Sequence, residues 1–164
     1  MTILLLVFCG LVFCFGFVLL FGAPYLPTLN KQMRVAMDMI DLKPGETLLE
    51  LGCGDGKVLV AAARRGWQAV GYELNPLLVI VCRLRTWRYR RQVRVVWGNF
   101  WTKQWPEFDG IFVFVMQRHM AKLDTAINAA TELQQRPIKL VSFAFTIPGK
   151  EPRQQRDGVY LYDY

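Results

Sequence analysis

Leu48-Leu49-Glu50-Leu51-Gly52-Cys53-Gly54-Asp55-Gly56-Lys57 is the stretch that decides the fold of this 164-residue chain. The apolar run from Thr47 to Leu51 reads as a parallel strand buried on both faces, and Lys57 to Arg64 as the helix returning over it. Between them sits a glycine turn. Gly52, Gly54 and Gly56 lack a Cβ, so the backbone there can take positive φ and approach a ligand where the first amides of the helix point outward. About twenty residues on, the strand Ala69 to Tyr72 ends at Glu73, placed to accept hydrogen bonds from both hydroxyls of a ribose. Loop and distant acid together predict a Rossmann-like grip on an adenosyl ligand.

The third position of the loop separates the candidate ligands. A dinucleotide fingerprint would carry glycine at position 57, for close helix packing beside a pyrophosphate, and this chain has Lys57. Glu50 and Asp55 repel a pyrophosphate but attract an amino acid ammonium and a sulfonium. S-adenosyl-L-methionine is therefore the expected cofactor.

From Thr2 to Phe21 the chain is almost unbroken Leu, Val, Phe, Ile, Cys and Gly, and no Lys, Arg, Asp or Glu occurs before Lys31. A run of that length can span a bilayer, and it has neither the basic leader nor the small-residue cleavage site of a signal peptide. Residues 1–22 are expected to form a single-pass transmembrane anchor, 23–30 a linker stiffened by Pro24 and Pro27, and 31–164 one catalytic domain. All 20 basic residues follow the anchor, as do the 13 acidic ones that bring the net charge to +7, and this basic excess places that domain on the cytoplasmic side, or the matrix side in a mitochondrion. Cys9, Cys14, Cys53 and Cys82 form no CxxC pair, and His119 is the only histidine, so neither a disulfide framework nor a histidine-based metal site is expected.

Thr28 is positioned to cap a helix from Leu29 to Ile40, expected to cover the sheet edge near the cofactor. Asn75-Pro76 starts another, expected to run to about Arg91. Strands are predicted at Val93 to Trp97, Gly110 to Val115, Leu140 to Phe145 and Tyr160 to Tyr164, with a helix over Ala121 to Gln135. Strands alternating with helices give an α/β, doubly wound, mostly parallel sheet. Six strands can be counted, so a reduced C-terminus is expected.

Taken together, these residues resemble the Class I, seven-strand S-adenosylmethionine-dependent methyltransferases, and within them the membrane-anchored lysine methyltransferases of the adenine nucleotide translocase and ATP synthase c-subunit type. The resemblance runs through Pro24-Tyr25-Leu26-Pro27, the glycine loop, Gly71-Tyr72-Glu73-Leu74-Asn75-Pro76, Phe100-Trp101 and Tyr160-Leu161-Tyr162-Asp163. It implies that Glu50, Gly52, Cys53, Gly54 and Gly56 line the methionine end and that Glu73 takes the ribose. It also implies that Leu74 and Asn75 flank the adenine, with Asn99 and Phe100 on its other side. Asn99 departs from the usual Asp of that position, which weakens the adenine contact without abolishing it.

Methyl transfer needs a neutral nucleophile held in line, so positioning supplies most of the acceleration. Asp109, Gln117, Tyr162 and Asp163 are the candidates for orienting a substrate amine, although Asp109 also reads as a turn residue and Tyr162 as core. No Asn/Asp-Pro-Pro-aromatic motif and no Pro-Cys nucleophile follows the fourth strand, which argues against adenine, amide and cytosine C5 methylation. The expected partner is a protein with a target lysine, in or near the membrane. A lipid or quinone acceptor and a nonenzymatic adenosyl-binding assembly factor remain the alternatives. Arg83, Arg85, Arg88, Arg90, Arg91 and Arg94 form a basic stretch suited to a solvated helix face or to lipid headgroups, with nucleic acid the less favoured reading.

Overall fold

The computed structural model describes residues 4–5 and 28–164. All of the apolar run except Leu4 and Leu5, and most of the linker, lie outside those residues. Among the described residues no helix is long and apolar enough to cross a membrane.

Seven strands form one sheet: β1 Thr47–Leu51, β2 Gln68–Glu73, β3 Val93–Trp97, β4 Gly110–Val113, β5 Lys139–Phe143, β6 Gln154–Arg156 and β7 Val159–Asp163. Their spatial order is β3-β2-β1-β4-β5-β7-β6, with the first five parallel and β7 antiparallel to both neighbours. The helices are α1 Asn30–Ile40, α2 Lys57–Arg64, α3 Pro76–Thr86 and α4 Met120–Gln134. After β1 the chain winds outward to β3, then returns to lay β4 on the other side of β1. That reversal opens a crevice at the carboxyl ends of β1 and β4.

The period of two along the strands fills both faces of the sheet. Leu49, Leu51, Val70, Tyr72, Ile111 and Val113 pack with Met120, Leu123 and Ile127 of α4. Leu48, Ala69, Phe112 and Val141 face the opposite way, against α1 and α2. Burial on both faces explains why β1 and β4 read as continuous apolar runs.

The sequence expectations need four corrections. The C-terminus is not reduced, because β6 is a seventh strand; all three of its residues are exposed and show no apolar alternation. It is turned by Asp157-Gly158, both at positive φ, the two-residue hairpin geometry in which Arg156 faces Val159. α3 stops at Thr86, where a short 3-10 turn from Trp87 to Tyr89 bends the chain back toward β3. α1 starts at Asn30 with Leu29 as an N-cap that makes no side-chain bond, so Thr28 is not the cap; its carbonyl instead accepts from Lys57 Nζ at 2.8 Å. α1 lies on the sheet face rather than along an edge, with the Ile40 side chain over Gly110, where a Cβ would stand 2.6 Å from Ile40 Cδ1.

Candidate functional site

The crevice begins where β1 ends. Glu50 is 4 % exposed, and its Oε2 has no hydrogen-bond partner. Desolvation raises its pKa well above the ordinary carboxylate value, and the neighbouring Cys82, Asp55 and Glu73 push the same way. A buried carboxyl oxygen without a partner is costly unless a ligand completes it. A cation seated here would both supply the missing hydrogen bond and favour the ionised form.

The glycine loop divides its work. Gly52 has φ +88, and nothing lies within 4 Å of where its Cβ would be, so this residue leaves the crevice open. Gly56 has φ +79, and a Cβ there would meet Cys82 Sγ at 2.6 Å, so its requirement is close packing of the loop on α3. Gly54 donates its N–H to Glu73 Oε2 at 2.9 Å, tying the loop to the end of β2. Cys53 corrects the expectation for its side chain: it is buried, with Sγ 3.8 Å from Cys82 Sγ, and only its backbone belongs to the loop. The hydrogen bond with Cys82, and then burial, push the Cys53 thiol up and keep it protonated.

Glu73 is held at both oxygens. Oε1 accepts from Asn75 N–H at 2.8 Å and Oε2 from Gly54, and each oxygen keeps a second lone pair for a further donor. Asn75 is buried and its Oδ1 accepts from Leu77 N–H at 2.9 Å, capping α3, so its side chain serves the helix instead of flanking a ligand. Leu74 is half-buried, and its carbonyl accepts from Trp97 Nε1 at 3.1 Å. Gly98 N–H donates to the Glu73 carbonyl at 2.9 Å and so brings Asn99 and Phe100 to the same edge. Asn99 Oδ1 accepts from Trp101 N–H at 3.0 Å, and Phe100 packs on Trp101 with ring centroids 4.7 Å apart.

Of the four residues proposed to orient a substrate, the structure brings Gln117 to this edge. It follows β4, and its amide both donates to the Thr146 carbonyl at 3.0 Å and accepts from Thr146 N–H at 3.3 Å, clamping the loops after β4 and β5. Asp109 stands at the amino end of β4, where it accepts from Thr47 N–H at 2.7 Å and pairs with Arg136 at 3.2 Å. Asp163 faces Lys139 at the amino end of β5 and pairs with Arg153 at 3.0 Å. Both acids therefore lie at the edge opposite the crevice, a strand length of about 15 Å away. Tyr162 is buried in the core, where its hydroxyl accepts from Ile147 N–H at 3.1 Å.

The sequence reading missed an aromatic group at the carboxyl ends of β4 and β5. The Phe114 ring lies 4.7 Å from that of Phe143 and 6.1 Å from that of Phe145, stacked on the latter. Ser142 Oγ donates to the Phe145 carbonyl at 2.7 Å and fixes the turn that presents it. The signal was present as Phe112-Val113-Phe114 and Phe143-Ala144-Phe145, but an alternating run alone does not say which ring leaves the core.

The arrangement fits S-adenosylmethionine. Glu50 offers an unpartnered buried acceptor for a cationic group, Gly52 leaves space, and Glu73 retains capacity for hydroxyls. The solved structure of an RNA methyltransferase from Salinibacter ruber, in complex with S-adenosyl-L-homocysteine, shares this fold with a TM-score of 0.74 over 85% of this chain and 92% of that one, at 21% identity. The ATP synthase c-subunit lysine N-methyltransferase of Xenopus laevis is 31% identical over 146 residues, 85% of this chain and 63% of the relative. The adenine nucleotide translocase lysine N-methyltransferase of Mus musculus is 29% identical, over 85% of this chain and 62% of its own length. The chain thus spans about three fifths of the length of these two relatives. The sequence profile of the ANTKMT methyltransferase domain matches residues 50–154, and the chain belongs to that family.

Proposed function

We propose that this protein is a membrane-anchored, S-adenosylmethionine-dependent protein-lysine N-methyltransferase acting on a membrane-embedded or membrane-proximal protein. The observation that carries the reading is the orphaned Glu50 carboxyl, buried beside Asp55 and Glu73 at the mouth of an open glycine loop. A crevice lined by a buried carboxyl that ionises when a cation seats against it selects a cationic adenosyl ligand over a pyrophosphate. The family membership, and the lysine specificity in the names of both relatives, supply the acceptor class.

When bound, S-adenosylmethionine supplies a methyl group activated by a sulfonium. Glu50 would hold the ammonium of its methionine part, the backbone of Gly52, Cys53, Gly54 and Gly56 would line that part, and Glu73 would take the ribose. Leu74, Asn99 and Phe100 would border the adenine, with Asn75 supporting them through its cap on α3. Phe114, Phe143 and Phe145 offer an apolar wall for the stem of a lysine, and partial desolvation there lowers the amine pKa toward the neutral nucleophile. Gln117 fixes the two loops that carry this wall. No protein base is assigned, because the amine can lose its proton to solvent before it is enclosed.

In this reading residues 1–22 anchor the chain, 23–30 lead away from the bilayer, and 31–164 form the catalytic domain on the cytoplasmic or matrix side. The test is to incubate the full chain with methyl-labelled S-adenosylmethionine and membranes from cells lacking it, then identify labelled residues by mass spectrometry. The expected result is label on a lysine of one membrane protein, abolished by Glu73→Ala. Label only in the lipid extract would move the acceptor to a lipid or quinone. Binding with no transfer would make the protein a nonenzymatic adenosyl-binding factor, and unchanged affinity in Glu73→Ala would overturn the cofactor site itself.

A further inference from the structure

One face of the domain has no role in the crevice. Along α3 and the turn after it, Ile80, Leu84 and Trp87 recur at i, i+4 and i+7 and are 55%, 72% and 63% exposed. The buried residues of that helix, Val79, Cys82 and Thr86, take the other side. The stripe is therefore a true outward face, and three large apolar side chains on it are not core. Arg83 flanks it on one side and Arg85 and Arg88 on the other, while the guanidinium of Arg90 lies 5.3 Å from the centre of the Trp87 ring.

A cleft of about 750 Å³ adjoins the arginine side. Its walls include Arg34, Lys57, Arg64, Arg85, Arg88 and Tyr89. Arg85 is paired with Asp55 and Arg64 donates to Tyr89 Oη at 3.3 Å, while Arg34 and Arg88 have no acidic partner within 4.0 Å among the described residues. No Asp or Glu occurs between Asn75 and Pro106, so nothing in that stretch of sequence offsets its cations. The cleft also lies where the chain emerges from its N-terminal segment: Asn30 and Met33 line it, and Lys57 reaches from it to the Thr28 carbonyl.

We infer that the outer face of α3, with the adjoining basic cleft, docks flat on an anionic lipid bilayer. Arginines flanking an apolar stripe with a tryptophan are the chemistry of an interfacial helix: the stripe enters the headgroup boundary and the guanidinium groups meet phosphates. The aliphatic Ile80 and Leu84 suit acyl chains, whereas bases would call for aromatic platforms along the stripe. The 20-residue apolar run that ends a few residues before the cleft supplies continuity with the same membrane. The inference rests on the anchored reading of the protein and deepens it by fixing the orientation of the domain. Because α3 follows its cap Asn75, two residues after Glu73, a flat α3 holds the Glu73 end of the crevice one helix diameter, roughly 10 Å, above the bilayer surface.

The test uses the full chain with vesicles of phosphatidylcholine alone or mixed with phosphatidylglycerol, both carrying brominated acyl chains that quench tryptophan at close range. The Trp87 contribution is the difference between the native chain and Trp87→Phe. The expected result is Trp87 quenching at least about threefold stronger on the anionic vesicles, reduced to a similar degree by Leu84→Asp and by Arg88→Glu, with unchanged melting temperatures. Resistance to alkaline carbonate extraction reports the anchor separately. A chain that resists extraction while Trp87 stays unquenched keeps the anchor and overturns the docking face. A chain that is extracted yet quenched at neutral pH keeps the face and overturns the anchor. Oligonucleotide binding lost in Arg88→Glu, without any quenching by lipid, would assign the face to nucleic acid and overturn the inference.

Discussion

The two edges of the sheet use carboxylates in opposite ways. At the amino edge Asp109 and Asp163 are answered by Thr47 N–H, Arg136 and Arg153, and Lys139 is answered by the carbonyls of Ile40 and Asp41. At the carboxyl edge Glu50 is buried with one oxygen unanswered, and Glu73 is held by two backbone amides that leave it capacity for more. An acid whose partners are all within the protein is part of the framework, and an acid left incomplete in the interior marks where something else binds. Residue type does not separate the two groups, since all four are acids near strand ends.

Removing the incomplete acid gives the largest effect expected from this contrast. Glu50→Gln keeps the shape but removes the charge that meets the cofactor's ammonium, a charged hydrogen bond of about 1.5–3 kcal/mol. Isothermal titration with S-adenosylmethionine should show binding roughly 10- to 150-fold weaker. Wild-type affinity in this variant would place the ammonium elsewhere and dissolve the contrast between the edges.

The same residue makes the contrast dependent on pH. Glu50 is raised in the folded protein by burial first and then by Cys82, Asp55 and Glu73. Between the ordinary carboxylate value and the raised one, the folded state without ligand holds a proton that the unfolded chain has released. Stability from this group is therefore full below the ordinary value and is lost as pH rises through the raised one. Cofactor affinity should move the other way across that window, rising with pH by up to about tenfold per unit as the proton that must leave is already gone. Titrations in buffers of different ionisation enthalpy should show proton release on binding by the native chain. Glu50→Gln should flatten both the melting profile and the proton release.

Much of this was legible in the sequence because strand, glycine turn, helix and distant acid fall within the 27 residues from Thr47 to Glu73. Glu50 and Glu73 fall at the carboxyl ends of parallel strands as soon as β1 and β2 are recognised. The edge occupied by Asp109 follows from strand direction in the same way, whereas that of Asp163 is a tertiary property. Asp109 precedes its strand, so the parallel direction puts it at the amino edge, and Asp163 ends a strand that runs antiparallel to β5. β6 is hidden because Gln154, Gln155 and Arg156 face solvent and carry no alternation, although Asp157-Gly158 is a readable hairpin signal. Cys53 reads as a ligand contact because it sits in the loop, but the missing Cβ of Gly71 leaves room for its side chain to pack inward: a Cβ on Gly71 would stand 2.7 Å from Cys53 Cβ.

A smaller effect, of a different kind, is expected at the other edge. Asp109→Asn weakens an ion pair with Arg136 and a charged acceptor for Thr47 N–H, but both lie in a partly exposed site, with the Asp109 side chain 23% accessible. Chemical denaturation should show a loss of about 1–2 kcal/mol, with cofactor affinity unchanged. A fall in affinity beyond the change in stability would mean that the amino edge communicates with the crevice through β1, and the separation of roles would fail.

Asp163→Asn should do least, and the reason sharpens the rule. Its pair with Arg153 is well formed at 3.0 Å but stands in solvent, at the end of the strand next to the sheet edge, with the two side chains 48% and 64% exposed. Screening and the entropy of holding two mobile side chains leave such a pair worth no more than about 0.5 kcal/mol. Stability should change within that limit, by a smaller amount still in high salt, and methyl transfer should be unaffected. A marked loss of transfer with intact folding and cofactor binding would mean that Asp163 reaches the acceptor from the opposite edge. Hydrogen-bond completeness would then no longer separate framework acids from functional ones.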